Sequence, residues 1–224
     1  MDTNNQTIDI GGWVIRMQEP EGNGPFPVFL LLHGWTGDEN SMWIFSSRLP
    51  ANTLMIAPRG IYDTPIGGYG WYPIKKGLPT GEEKEWPNVD DFRPAVNGLL
   101  DILTSEHFPK ADFSELRLVG FSQGAALAYT FTIIHPEKVV NFAGLAGFMP
   151  EEVEDLIRER PLVDKSAYVT HGIRDDLVPI SKARRAVELL EKAGAKVTYC
   201  EDDVGHKLSA TCFRGMQNFF AAQF

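Results

Sequence analysis

Residues 116–126 read Leu116-Arg117-Leu118-Val119-Gly120-Phe121-Ser122-Gln123-Gly124-Ala125-Ala126. A short apolar strand pattern runs into Gly-Phe-Ser-Gln-Gly, and an alanine-rich helical pattern follows at once. A serine at so abrupt a strand-to-helix turn takes a strained backbone conformation. Its neighbours two positions away must be small for strand and helix to pass closely, which Gly120 and Gly124 allow. This is the context of a nucleophile elbow and makes Ser122 the candidate nucleophile. A serine helix cap flanked by glycines by chance would look the same locally, so the decision falls to the rest of the chain.

Outward from the elbow, strand and helix patterns alternate. Upstream, 8–17 reads as an edge strand or hairpin turning at Gly11-Gly12, 27–32 as a strand buried on both faces, and Met42 to Leu49 as a short helix stopped by Pro50. A second buried strand covers 53–57. Downstream, helices are expected at 90–107, 123–135, 151–158, 181–193 and 208–222, with strands at 116–121, 139–143, 167–171 and 196–201. Such alternation implies a mostly parallel sheet covered on both faces by crossover helices, an α/β class. Between 60 and 89 no regular element fits. Loops of that length in compact domains are usually functional, so this one, carrying Trp71, Tyr72 and Trp86, is expected to form a wall or lid over a site. No linker or repeat divides the 224 residues, and one domain over 1–224 is expected.

Composition removes several function classes. With 43% hydrophobic and 23% charged residues the chain has a globular balance, and its length suffices for a core without metal or disulfide support. The 21 Lys plus Arg against 30 Asp plus Glu leave a net charge of −9, the wrong sign for a phosphate backbone or an anionic membrane. Nucleic acid is therefore not an expected partner. Met1 to Thr7 lacks the basic start and apolar run of a signal peptide, and the longest apolar stretch, Val28 to Leu32, is far short of the roughly 20 residues that span a bilayer. We expect no stable membrane insertion and a cytoplasmic location. Cys200 and Cys212 lack metal-ligand spacing. Free buried thiols are expected rather than a bridge flanking His206.

A serine hydroxyl needs a base, and the base needs a carboxylate to fix its tautomer. His206, in Val204-Gly205-His206-Lys207 between the last strand and the last helix, is free to fold over the elbow. His107 and His135 sit at helix ends, His33 precedes a glycine after a strand, and His171 ends a strand. The acid should come between serine and histidine in the chain. Asp175, in His171-Gly172-Ile173-Arg174-Asp175-Asp176, is chosen, with Asp176 as its competitor and a helix cap as Asp176's alternative role. Acyl transfer also requires N–H donors aimed at an oxyanion. Gln123 supplies one at a helix N-terminus, and Trp35, in His33-Gly34-Trp35-Thr36-Gly37, supplies the other.

Together with Leu32-His33-Gly34, Ala57-Pro58-Arg59-Gly60, Trp71-Tyr72, Val178-Pro179 and Gly205-His206, these motifs resemble the phospholipase/carboxylesterase family of α/β-hydrolases, which includes the acyl-protein thioesterases. The resemblance runs in consistent order over about residues 25–222. It implies the α/β-hydrolase fold and a serine hydrolase without cofactor or metal, with Ser122, Asp175 and His206 as triad and Trp35 and Gln123 as oxyanion donors. Residues 35–42, Trp-Thr-Gly-Asp-Glu-Asn-Ser-Met, depart from the thioesterases' usual Leu-Gly-Asp and set a large ring beside the oxyanion. A short- to medium-chain carboxylesterase is therefore preferred. A lysophospholipase or acyl-protein thioesterase is the enzymatic alternative, and a ligand-binding relative without catalysis the other. Trp71 and Tyr72 are expected to bind substrate, Trp43 and Phe148 to be core, and Lys75, Lys76 and Lys84 to be a solvated surface. The partner expected is a small-molecule ester, with a homodimer left open.

Overall fold

The computed structural model describes residues 5–73 and 85–223. The chain opens with an antiparallel hairpin, β1 (Asn5–Ile10) and β2 (Trp13–Gln18), turning through Gly11 and Gly12, both at positive φ. β3 (Phe26–Leu32), a 3-10 helix over Ser41–Arg48 and β4 (Leu54–Pro58) follow. Next come the short pair β5 (Tyr62–Asp63) and β6 (Tyr69–Gly70), α1 (Val89–Ile102), β7 (Ala111–Phe121), α2 (Gln123–Ile134) and β8 (Val139–Leu145). The chain closes with α3 (Glu154–Ile157), β9 (Ser166–Gly172), α4 (Ile180–Lys192), β10 (Lys196–Asp202) and α5 (Ala210–Ala221).

The large sheet has eight strands in the order β1-β2-β4-β3-β7-β8-β9-β10. From β4 to β10 every neighbouring pair is parallel, and β2 joins β4 antiparallel. A parallel sheet must be covered on both faces, and the alternation of side chains along β3 shows how. Val28, Leu30 and Leu32 pack into a core shared with α1 and α2, whereas Phe29 and Leu31 pack on the other face with Met42 and Phe45 of the 3-10 helix and Met216 and Phe220 of α5. Each of those five β3 side chains is fully buried. α2, buried along nearly its whole length, lies directly behind the elbow strand.

Several expectations need correction. The segment 60–89 is not devoid of regular structure, because β5 and β6 form a hairpin whose turn is closed by Thr64 N–H donating to Gly68 O at 3.0 Å. The helix expected over 151–158 shrinks to α3. Glu152 takes φ +62°, and Glu151 is drawn into a bridge with Asn88, its N–H donating to Pro87 O. The backbone there is committed elsewhere before a helix can start. β7 begins five residues before the expected 116, pairing Ala111 with Phe26. None of these changes moves the strand ends that carry the site.

Candidate active site

β7 ends at Phe121, α2 starts at Gln123, and Ser122 alone makes the turn at φ 53°, ψ −115°. For an L-residue that backbone is strained. It is held by Ser122 N–H donating to Leu145 O at 2.8 Å. The two glycines are sterically required. A Cβ at Gly120 would lie 2.2 Å from Gly124 O, and one at Gly124 would lie 2.1 Å from Leu32 O. Strand, turn and helix can therefore meet only with glycine at both places.

The loops after β9 and β10 converge on this turn. His206 Nε2 lies 2.9 Å from Ser122 Oγ, and His206 Nδ1 lies 2.7 Å from Asp175 Oδ2. Asp175 is buried, and its Oδ1 accepts the N–H groups of Leu177 and Val178, each at 2.9 Å. Burial is the largest single influence on this carboxyl and pushes its pKa up. The combined donors from His171, His206 and the Val178 backbone outweigh it and hold Asp175 well below the usual carboxylate range. Asp176, the competing acid, is exposed.

His171, which sequence reasoning passed over, stands behind Asp175. Its Nε2 is 2.7 Å from Val178 O and 3.3 Å from Asp175 Oδ2. A carbonyl offers no proton, so that nitrogen carries one and donates to both. Only a buried partner for the acid could have signalled this, and a strand-ending histidine does not announce one.

Cys200 in β10 and Cys212 in α5 are bridged, which corrects the expectation of free thiols. The tight return from β10 into α5 brings their Cα atoms to 5.6 Å, within disulfide range. The loop closed by the bridge contains His206. Closing a loop of 12 residues' separation restricts the unfolded chain by about 3 kcal/mol in the chain-entropy treatment. Reduction should therefore lower the stability measured by urea unfolding by about 2–3 kcal/mol. Superimposable curves with and without dithiothreitol would remove the bridge from the account.

On the other side of Ser122 lies the turn after β3. Gly37 N–H donates to Gly34 O at 3.0 Å, and Thr36 takes φ +68°. A Cβ at Gly34 would come within 3.3 Å of the Ser122 Cβ, so this loop sits against the elbow. Among the described residues, neither the Trp35 nor the Gln123 backbone N–H has a protein acceptor. The Gln123 side chain is buried and accepts Trp71 N–H at 2.6 Å, while Trp71 Nε1–H donates to His33 O at 2.7 Å. Burial pushes the Tyr72 hydroxyl up to about 12, partly offset by its hydrogen bond with Gln123. His33 is itself buried, which lowers its pKa, and its Nε2 accepts Gly60 N–H at 2.8 Å. These bonds tie the elbow, the β3 turn and the segment after β6 into one unit.

That network corrects the reading of Trp71 as a substrate contact. Its side chain is fully buried, because the indole N–H needs the His33 carbonyl and its ring packs on His33 at 4.8 Å. Tyr72 is half-buried, against Phe92. Phe148 is buried beside Trp86, with ring centroids 4.6 Å apart, and Trp43 is half-buried under the Arg16 guanidinium. Lys75, Lys76 and Lys84, with the middle of the expected lid, lie outside the described residues.

An apolar cleft of about 580 Å³ adjoins the elbow, and its lining was not foreseen. Beyond Trp35 the walls are Met42 and Phe45 from the 3-10 helix, Phe121 from β7, and Leu208 and Phe213 around the start of α5. A Ser-His-Asp chain in hydrogen-bond contact, two backbone N–H groups without a protein acceptor among the described residues and an apolar recess can together support nucleophilic attack on a carbonyl. The sequence model of the phospholipase/carboxylesterase family matches residues 17–223.

The chain belongs to the phospholipase/carboxylesterase family.

Acyl-protein thioesterase 1 of Kluyveromyces lactis is 31% identical over 185 residues, covering 74% of this chain and 76% of that protein. A probable inactive carboxylesterase of Oryza sativa is 25% identical over 121 residues, covering 53% of this chain and 49% of that one. The Bacillus cereus carboxylesterase structure superimposes with a TM-score of 0.79 over 96% of each chain at 20% identity. This member of the family thus has the α/β-hydrolase fold and is a hydrolase of the carboxylesterase and acyl-protein thioesterase type. Among its described residues no helix is long and apolar enough to cross a membrane.

Proposed function

We propose that this chain is a serine carboxylesterase that cleaves short- to medium-chain carboxylic esters by two-step acyl transfer. The observation that carries the reading is the unbroken line from Ser122 Oγ through His206 to Asp175, with contacts of 2.9 and 2.7 Å, built on a strained turn. A helix cap would require neither contact. His206 takes the Ser122 proton as Oγ attacks the ester carbonyl, and the oxyanion lies against the N–H groups of Trp35 and Gln123. The alcohol leaves with the proton from His206. Water, deprotonated by the same nitrogen, then releases the acid. Asp175 stays ionised and keeps the His206 proton on Nδ1, leaving Nε2 free as base.

The thioesterase reading draws its support from the Kluyveromyces lactis relative. The ester reading is preferred because residues 35–42 depart from the thioesterases' usual Leu-Gly-Asp. A steady-state series of p-nitrophenyl esters from acetate to palmitate tests this. Turnover peaking at short or medium chains is expected, and an optimum at palmitate would move the assignment to long-chain thioester or lysophospholipid hydrolysis. The non-catalytic reading is favoured only by an absence of turnover on all of them.

A further inference from the structure

An ester at Ser122 must place three groups around its carbonyl carbon: the carbonyl oxygen, the acyl chain and the alkoxy group. On the serine mechanism above, the first faces the Trp35 and Gln123 N–H groups. The alkoxy oxygen must come within hydrogen-bond reach of His206 Nε2, because that nitrogen returns the proton. The alkoxy substituent therefore starts on the His206 side of Ser122.

Two observations say what lies there. The His206 ring rests on Phe121 at 5.1 Å, and Phe121 packs with the core on the face of the 3-10 helix and α5. The apolar cleft lies on that face, lined by Phe121 together with Leu208, Ala210 and Phe213, a few residues beyond His206. On the other face, the Gln123 side chain is taken up by Trp71 and Tyr72, and Tyr72, Trp86 and Phe148 pack with the α1 and α2 core. An alkoxy substituent that starts on the His206 side therefore has the Phe121 wall of the cleft beside it.

We propose that this cleft is the alcohol subsite, and that the substrates are esters of apolar alcohols of aryl or medium alkyl size. This deepens the serine esterase reading and rests on it. In the step concerned, the bond from Ser122 Oγ to the carbonyl carbon forms and the Oγ proton passes to His206 Nε2. The bond from that carbon to the alkoxy oxygen then breaks, the proton transfers to that oxygen, and the neutral alcohol departs through the cleft. About 580 Å³ is within the range of small-molecule sites and accommodates a benzyl or hexyl group.

Two substrate series separate the halves of the ester: acetates of methanol, butanol, hexanol and benzyl alcohol, and methyl esters from acetate to octanoate. In the wild type, kcat/KM should rise along the alcohol series by on the order of threefold per methylene buried. Ala210 is exposed and lines the cleft. Ala210→Phe should cut the hexyl-to-methyl acetate ratio at least tenfold while the octanoate-to-acetate ratio keeps its wild-type value. Ile44, at the cleft and 73% exposed, gives a second variant with little at stake for folding. Ile44→Ala should lower the hexyl acetate ratio about twofold to threefold. A wild-type alcohol series without slope, or an Ala210→Phe effect on the acyl series instead, would overturn the assignment. Ester hydrolysis by Ser122→Ala at a rate comparable to wild type would instead overturn the serine mechanism beneath it.

Discussion

Replacing Ser122 with alanine should lower kcat on p-nitrophenyl butyrate by on the order of 10⁵-fold or more while leaving the fold intact. On the proposed mechanism the side chain removed carries the attacking oxygen, and the remaining groups cannot replace it. His206 would keep its 2.7 Å bond to Asp175, and on the proposed mechanism the N–H groups of Trp35 and Gln123 would still face the carbonyl. A residual rate above that of water is therefore expected from oxyanion stabilisation and binding. Stability should change little. Alanine tolerates φ +53° about as poorly as serine does, and the Ser122 N–H bond to Leu145 O belongs to the backbone. The measurement is steady-state hydrolysis beside a thermal melt, with the enzyme concentration fixed by absorbance. Comparable turnover from a folded Ser122→Ala protein would sink the nucleophile assignment.

The elbow was legible because its constraints are local. Gly120, Ser122 and Gly124 meet within one turn, and the contacts that exclude a Cβ at each glycine involve that turn or the adjacent end of β3. His206 and Asp175 were legible for another reason: in a parallel sheet the carboxyl ends of all strands share one edge, so loops after β7, β9 and β10 must gather there. The cleft was not legible. Its walls come from residues 34–45, Phe121 and 207–213, and no spacing in the chain tells which faces of a 3-10 helix and a distant α-helix turn towards each other. Trp71 misled because a tryptophan in a glycine- and proline-rich segment looks like a surface ring, whereas its N–H is spent on His33 O. The disulfide was hidden likewise. Cys200 and Cys212 are 12 residues apart, and only the sharp turn from β10 into α5 makes them neighbours.

Asp175→Asn should cost on the order of 10⁴-fold in kcat, and the surroundings of the acid say why so small a change is so damaging. The Leu177 and Val178 N–H groups both donate to Oδ1. They require an acceptor there, which fixes the orientation of an asparagine in this site: its oxygen takes the Oδ1 position and its NH₂ the Oδ2 position. The NH₂ then faces His206 Nδ1, which must accept rather than donate. The imidazole proton moves to Nε2, and the nitrogen that should deprotonate Ser122 has no free lone pair. The new NH₂ also opposes the N–H of His171, which keeps its 2.7 Å bond to Val178 O. Geometry is preserved, KM should change by less than about threefold, and the loss should lie in kcat, as for a group acting on the reacting proton. Asp176→Asn, at an exposed neighbour, is the control and should stay within about twofold of wild type. Kinetics on the pair decides between the two carboxylates, since a collapse in Asp176→Asn with Asp175→Asn near wild type would reverse the assignment. The buried acid should prevail, because only its side chain reaches His206.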